Sequence, residues 1–231
     1  MKPIRKPRVK ICCIASVKEA GLAIQYGASA LGLVSEMPSG PGVIPEQLIA
    51  EIANIVPPSV SSFLLTSKQD PSVLIEQHRR CRTNVIQLCD RLEIEAYQKL
   101  KEALPGIGLV QVIHVTGEEA LSEAVAVAPL VNGILLDSGN QRLTVKQLGG
   151  TGRVHDWTLS RKIREEVEIP VFLAGGLTPE NVGEALRQVQ PFGVDVCNGV
   201  RTNGKLDEAK LETFFKAVSA YARTEHRKTF S

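Results

Sequence analysis

The sequence predicts a single closed (β/α)8 TIM barrel with eight parallel strands. Three observations carry that reading. Short runs rich in β-branched residues alternate eight times with stretches of helical period. Such alternation implies parallel strands joined by crossover helices. Eight units within about 220 residues fit a closed barrel better than an open sheet. No composition shift or Pro/Gly/Ser-rich linker divides the 231 residues. One barrel domain is therefore expected over 9–223, with a basic N-terminal tail at 1–8 and a polar C-terminal tail at 224–231.

The eight strands are expected at 9–13, 30–34, 60–65, 85–88, 109–115, 133–136, 171–173 and 193–196. Helix starts are marked between them. Ser16 with Glu19 reads as a capping box. Asp70-Pro71 and Thr178-Pro179-Glu180 each set a cap residue before a proline at the first helical position. A last helical pattern runs over 207–223, and the polar residues after it read as a frayed end.

Composition narrows the class. Hydrophobic residues make up 43% and charged residues 23%, which sets aside disorder and collagen-like repeats. The uncharged run 20–35, equalled in length only by 52–67, is broken by Gly21, Gln25, Tyr26 and Gly27, so no membrane span is expected. The basic start leads straight into a strand-like run and lacks the apolar segment of a secretory signal. A net charge of +2 from 27 bases and 25 acids gives no field that would draw nucleic acid. Five irregularly spaced cysteines argue against a disulfide scaffold and for thiols in a reducing cytoplasm.

In a barrel of this class the chemistry sits where strands end and the following loops begin. The first strand ends Val9-Lys10-Ile11-Cys12-Cys13. Strict alternation puts Lys10 and Cys12 on one face, Ile11 and Cys13 on the other. If Cys12 points into the mouth, Lys10 lies one layer below, where its ammonium would favour a thiolate able to act as base or nucleophile. The alternative is a pair of small buried hydrophobes. The sixth strand ends in Asp137, costly to bury unless it is paired or faces a polar pocket. It reads as a general acid or as a loop-capping residue.

The connection 138–156 is long and contains Gly149-Gly150-Thr151-Gly152, suited to a lid or to close backbone approach to a ligand. The seventh and eighth strands run into Ala174-Gly175-Gly176 and Cys197-Asn198-Gly199. Glycines at both ends would expose N–H groups at a shared edge where such barrels hold phosphate, or else form plain turns. Cys12, Cys89, His114 and Cys197 all fall at strand ends, yet no CxxC or HxxxH pair exists, so no metal site is expected.

Taken together, these strings resemble the phosphoribosylanthranilate isomerase family of tryptophan biosynthesis, over about residues 9 to 220. Val9-Lys10-Ile11-Cys12 matches its VKICG start, and Leu135-Leu136-Asp137 its LLD. Gly149-Gly150-Thr151-Gly152 with Asp156-Trp157 matches its GGTG…FDW. The segment 174–182 matches its GGLxPxNV, and Val194-Asp195-Val196 with Gly199-Val200 its VDVSSGVE.

The resemblance implies an Amadori rearrangement of an aminoaldose phosphate to an aminoketose phosphate, without a cofactor. It implies Asp137 as general acid on the ribose ring oxygen and Cys12 as general base at C2′, two roles that need opposed proton affinities. Backbone around Gly175, Gly176, Asn198 and Gly199 would anchor the phosphate, and Asp195 would lie near the substrate amine. Lys10, Gln87 and Arg201 complete the expected substrate-binding set. The expected partner is a small phosphorylated sugar, with no nucleic acid or membrane, in a monomer or homodimer.

Several positions depart from the family's pattern. Its Gly after the cysteine is Cys13, its QLHG is Gln87-Leu88-Cys89-Asp90, and its SSG is Cys197-Asn198-Gly199, with Arg201 in place of Glu. The Arg that neutralises the anthranilate carboxylate aligns with Pro41, and no Lys or Arg occurs from Glu19 to Ser67. Leaving that carboxylate unpaired would cost several kcal/mol. Either Arg201 or Arg153 substitutes, or the substrate lacks the carboxylate. The alternatives are thus a diverged member acting on another phosphorylated sugar or aminosugar, and a non-catalytic phosphate-ligand binder.

Overall fold

The computed structural model describes residues 7–139 and 155–228, with side chains described as far as Arg223. Its strands are β1 (Arg8–Ile11), β2 (Ala30–Val34), β3 (Ser61–Thr66), β4 (Val85–Leu88), β5 (Gly108–His114), β6 (Gly133–Asp137), β7 (Val171–Leu173) and β8 (Gly193–Val196). They pair in sequence order as a closed barrel, and β1 meets β8 in parallel to close it. The helices are α1 (Val17–Gln25), α2 (Glu46–Ile55), α3 (Pro71–Cys81), α4 (Ile94–Ala103), α5 (Glu119–Val127), α6 (Trp157–Glu166), α7 (Val182–Val189) and α8 (Glu208–Lys228). One follows each barrel strand, as the sequence predicts.

Alternation along the strands builds two cores. Ile11, Leu33, Leu64, Ile86, Ile134 and Leu173 face outward and join helix residues such as Ile49, Leu74 and Phe214 in the larger cluster. Ala30, Phe63, Leu65, Val110, Val112, Leu135 and Phe172 form the smaller one, inside the barrel. There Phe63, Phe172 and Phe192 meet edge to face, with ring centres 6.1 and 5.3 Å apart. The barrel is a packed column on which the site rests.

The helix starts follow local chemistry, with two differences from expectation. Asp70 accepts from the N–H groups of Ser72 and Val73 ahead of Pro71, and Asp156 caps α6 through Thr158 and Leu159. Ser16 accepts from Glu19 N–H, but the Glu19 carboxylate reaches Ala15 N–H, one residue ahead of the cap. Thr178 does not start a helix. Asn181 precedes α7, accepting from Thr178 N–H and donating to the Gly176 carbonyl, so its side chain organises the turn after β7. At the other end α8 continues to Lys228, past the boundary expected at residue 223. A two-stranded ribbon, β9 (Arg201–Thr202) with β10 (Lys205–Leu206), lies between β8 and α8.

Candidate active site

The strand C-termini surround a cavity of about 250 Å³. Cys12, just after β1, and Asp137, at the end of β6, both line it, as do Gln87 and Asp195. Gly175 and Gly176 after β7, and Asn198 and Gly199 after β8, form a further part of its wall. Residues spread over the whole chain thus meet at one mouth because all belong to the same end of the barrel.

Beneath Cys12 lies an ion pair. The register of β1 and β8 sets Lys10 directly beside Asp195, and Lys10 Nζ lies 3.0 Å from Asp195 Oδ1 with the lysine wholly buried. The ammonium also sits 5.3 Å from the centre of the Phe63 ring. Burial works against the charge on Lys10, but Asp195, helped by Cys12, outweighs it and holds the ammonium above its ordinary range. Burial pushes the Asp195 carboxyl up, and Lys10 pulls it back. Gly32 is what lets these groups converge. A Cβ there would stand 2.9 Å from Cys12 Sγ and 3.0 Å from Lys10 Nζ. Lys10 lies below the cavity floor and does not line it, so its expected role as a substrate contact is corrected to that of a buried positive charge under the thiol.

Asp137 accepts from Ser138 N–H at 2.7 Å at the end of β6. Gln87 is buried, lines the cavity, and leaves its Oε1 without a hydrogen-bond partner among the described residues, an acceptor suited to a ligand donor. Cys89, where the family carries histidine, is buried, and burial followed by Cys12 pushes its thiol up to about 12. It is a proton-retaining wall residue. His114 does not line the cavity and makes its contact with the Cys89 carbonyl at 3.3 Å. Among the described residues no group of three or more His, Cys, Asp or Glu is arranged to hold a metal ion.

The two glycine-bearing turns interlock. A Cβ on Gly199 would collide with the Leu177 carbonyl, so the β7 and β8 turns approach backbone to backbone. Gly175 and Gly176 both have positive φ, +79° and +62°, where glycine carries no steric penalty. The turns after β7 and β8 thus lie side by side in the cavity wall.

Two expectations are overturned. Cys13 does not point away from Cys12: β1 ends at Ile11 and Cys13 adopts φ +61°. That left-handed turn breaks the two-residue alternation and brings Cys13 into the cavity wall too. Arg201 does not face the substrate space. Its guanidinium donates to the carbonyls of Cys12 and Cys13 at 3.1 and 2.6 Å and to Glu19 at 3.1 Å. With its charge answered and its side chain 5% exposed, it is a brace for the β1 turn. Among the described residues no Lys or Arg lines the cavity, and Pro41 forms part of its wall. Arg153 and the Gly149–Gly152 string lie outside the described residues.

Sequence reasoning missed His155. Its Nε2 lies 2.8 Å from Ser160 Oγ, and a Cβ on Gly175 would touch its Nδ1 at 3.0 Å. Burial holds its imidazole below the ordinary range, with Asp137 and Asp156 opposing. Its place directly before Asp156-Trp157 was the available signal.

A carboxyl group, a thiol over a buried ammonium and an interlocked glycine edge share one barrel mouth, an arrangement that suits an isomerase of the sugar-phosphate class. The comparisons agree. The model of the N-(5′-phosphoribosyl)anthranilate (PRA) isomerase family matches residues 9–217, and the chain belongs to that family. It is 34% identical over 227 residues to the N-(5′-phosphoribosyl)anthranilate isomerase of Methanosarcina acetivorans, covering 92% of this chain and 93% of that one. A phosphoribosyl anthranilate isomerase crystallised with reduced 1-(o-carboxyphenylamino)-1-deoxyribulose 5-phosphate superposes with a TM-score of 0.77 at 28% identity, over 93% of this chain and 99% of that one. The dimeric Thermotoga maritima enzyme, solved as generated monomers, gives 0.76 at 27% identity, over the same shares.

Proposed function

We propose that the chain converts N-(5′-phosphoribosyl)anthranilate to 1-(o-carboxyphenylamino)-1-deoxyribulose 5-phosphate by an Amadori rearrangement. The observation that carries the reading is the opening of Cys12 and Asp137 into one cavity beside the interlocked glycine turns. Phosphate is held by N–H groups around Gly175, Gly176, Asn198 and Gly199. Asp137 gives its proton to the ribose ring oxygen as the C1′–O bond breaks, leaving a Schiff base. Cys12, above the ammonium of Lys10, removes the C2′ proton to give an enolamine. Protonation at C1′ and loss of the enol proton then give the ketone. The reaction is redox-neutral and requires only an acid and a base. Gln87 and Asp195 face the sugar and its amine.

No helix of the described residues is long and apolar enough to cross a membrane, and all five cysteines are thiols. The chain is read as a cytoplasmic protein that acts as a monomer or homodimer.

The reading set against it is that the true substrate lacks the anthranilate carboxylate, since no Lys or Arg among the described residues lines the cavity, where Pro41 forms part of the wall. With Arg201 engaged elsewhere, Arg153 is the remaining cation named by the sequence. The test compares turnover of N-(5′-phosphoribosyl)anthranilate with that of its aniline analogue. Preference for the carboxylated substrate supports the first reading. Equal turnover supports the second, and binding of both without turnover would leave only a phosphate-ligand binder.

A further inference from the structure

Cys13 and Cys197 stand where the family pattern has Gly and Ser, and the structure brings them together from opposite ends of the chain. Their Sγ atoms lie 2.7 Å apart, joining the turn after β1 to the turn after β8. Both residues line the cavity, the route by which a small molecule would approach the pair. Cys13 is buried, whereas Cys197 is only half-buried. A disulfide needs an S–S distance of about 2.0 Å, a shift of well under an ångström from the present contact. The β1 turn is held from behind by Arg201, and the β8 turn by Gly199 against Leu177. The pair is preset.

We propose that Cys13 and Cys197 are a thiol–disulfide modification site that takes low-molecular-weight disulfides of the glutathione class. The Cys197 thiolate attacks one sulfur of the small disulfide, whose S–S bond breaks and releases one thiolate. The Cys13 thiol then loses its proton and attacks Cys197 Sγ, expelling the second small thiolate. Two protein thiols are oxidised by two electrons, and one small disulfide is reduced to two thiols. The environments fit this order. The hydrogen bond with Cys13, then Arg201, hold the Cys197 thiol below its ordinary range against the effect of burial. Hydrogen bonds with Cys12 and Cys197, and then burial, raise Cys13. The more exposed sulfur is thus the attacking one and the buried sulfur the resolving one.

The reduced chain is incubated, folded, with glutathione disulfide, and its mass, thiol count and linked peptides are determined. The expected product has lost two hydrogens and two thiols, carries no glutathione, and joins the peptides containing residues 13 and 197. Because Cys12 and Cys13 share a peptide, Cys12→Ser separates them: the link persists in Cys12→Ser and is lost in both Cys13→Ser and Cys197→Ser. Dithiothreitol restores five thiols. A link that requires Cys12, a glutathione left on Cys197 in the wild type, or no reaction would each overturn the proposal. None of these readouts depends on the assigned activity.

Discussion

Arg201, just after β8, closes onto Glu19 of α1, which follows the neighbouring strand β1, its guanidinium 3.1 Å from the carboxylate and hydrogen-bonded to the carbonyls of Cys12 and Cys13. Glu19 in turn accepts from Ala15 and Leu206 N–H. One ion pair therefore fixes the turn that carries the proposed base, the start of α1 and the β9–β10 ribbon.

Breaking that pair leaves a buried charge without its partner, so Glu19→Ala is expected to destabilise the fold by about 3 kcal/mol. Chemical denaturation measures it. Burial works against the Glu19 charge, but Arg201 and the two N–H groups outweigh it and lower the pKa below 4.5. The contribution is thus complete above pH 4.5 and is lost as pH falls through the folded-state value. Arg201→Ala is expected to lower phosphate binding and turnover together, since the residue acts on the site through the β1 turn. A selective loss with the carboxylated substrate would return Arg201 to the substrate.

Lys10→Met strands the Asp195 carboxyl inside the barrel and is expected to cost about 3–5 kcal/mol. Adding Asp195→Leu removes the stranded charge and should recover most of that stability while turnover stays lost. Denaturation midpoints and steady-state rates on the single and double variants separate the two effects.

Gly199→Ala forces a Cβ against the Leu177 carbonyl, which is backbone and cannot swing aside. Affinity for inorganic phosphate, read by calorimetry, is expected to fall. Gly21→Ala is the control. Position 21 lies inside α1 with open space around its Cβ, so stability should rise by about 0.5–1 kcal/mol with phosphate affinity unchanged.

His155 is held neutral chiefly by burial. Its pKa is lowered from 6.5, so the unfolded chain binds the proton more readily, and stability is lost as pH falls below that value. His155→Gln should flatten the stability profile in this window and leave the Glu19-dependent loss at lower pH in place.

The barrel was legible because β-branched runs and cap residues are local signals, and the strand ends Cys12, Asp137, Gly175 and Gly199 follow from the fold's own geometry. The errors arose where tertiary contacts decide. Alternation could not place Cys13, because a left-handed residue after Ile11 turns the chain. Arg201 read as a spare cation because its partner Glu19 lies 182 residues away. Its sequence neighbour at the strand end gave no hint that the charge was already answered. Lys10 was placed in the right layer, but full burial against Asp195 depends on β1–β8 register, which no local pattern specifies. His155 carries no strand-end signal and gains its place from packing between α6 and the β7 turn.

The central claim is that a thiol and a carboxylic acid share one mouth as base and acid. Its most direct test is kcat/KM for N-(5′-phosphoribosyl)anthranilate in wild type, Cys12→Ser, Asp137→Asn and the double variant. Each single change should cost about 10²–10⁴-fold, with binding of the reduced product analogue retained. Wild-type-like turnover in either single variant would contradict the account.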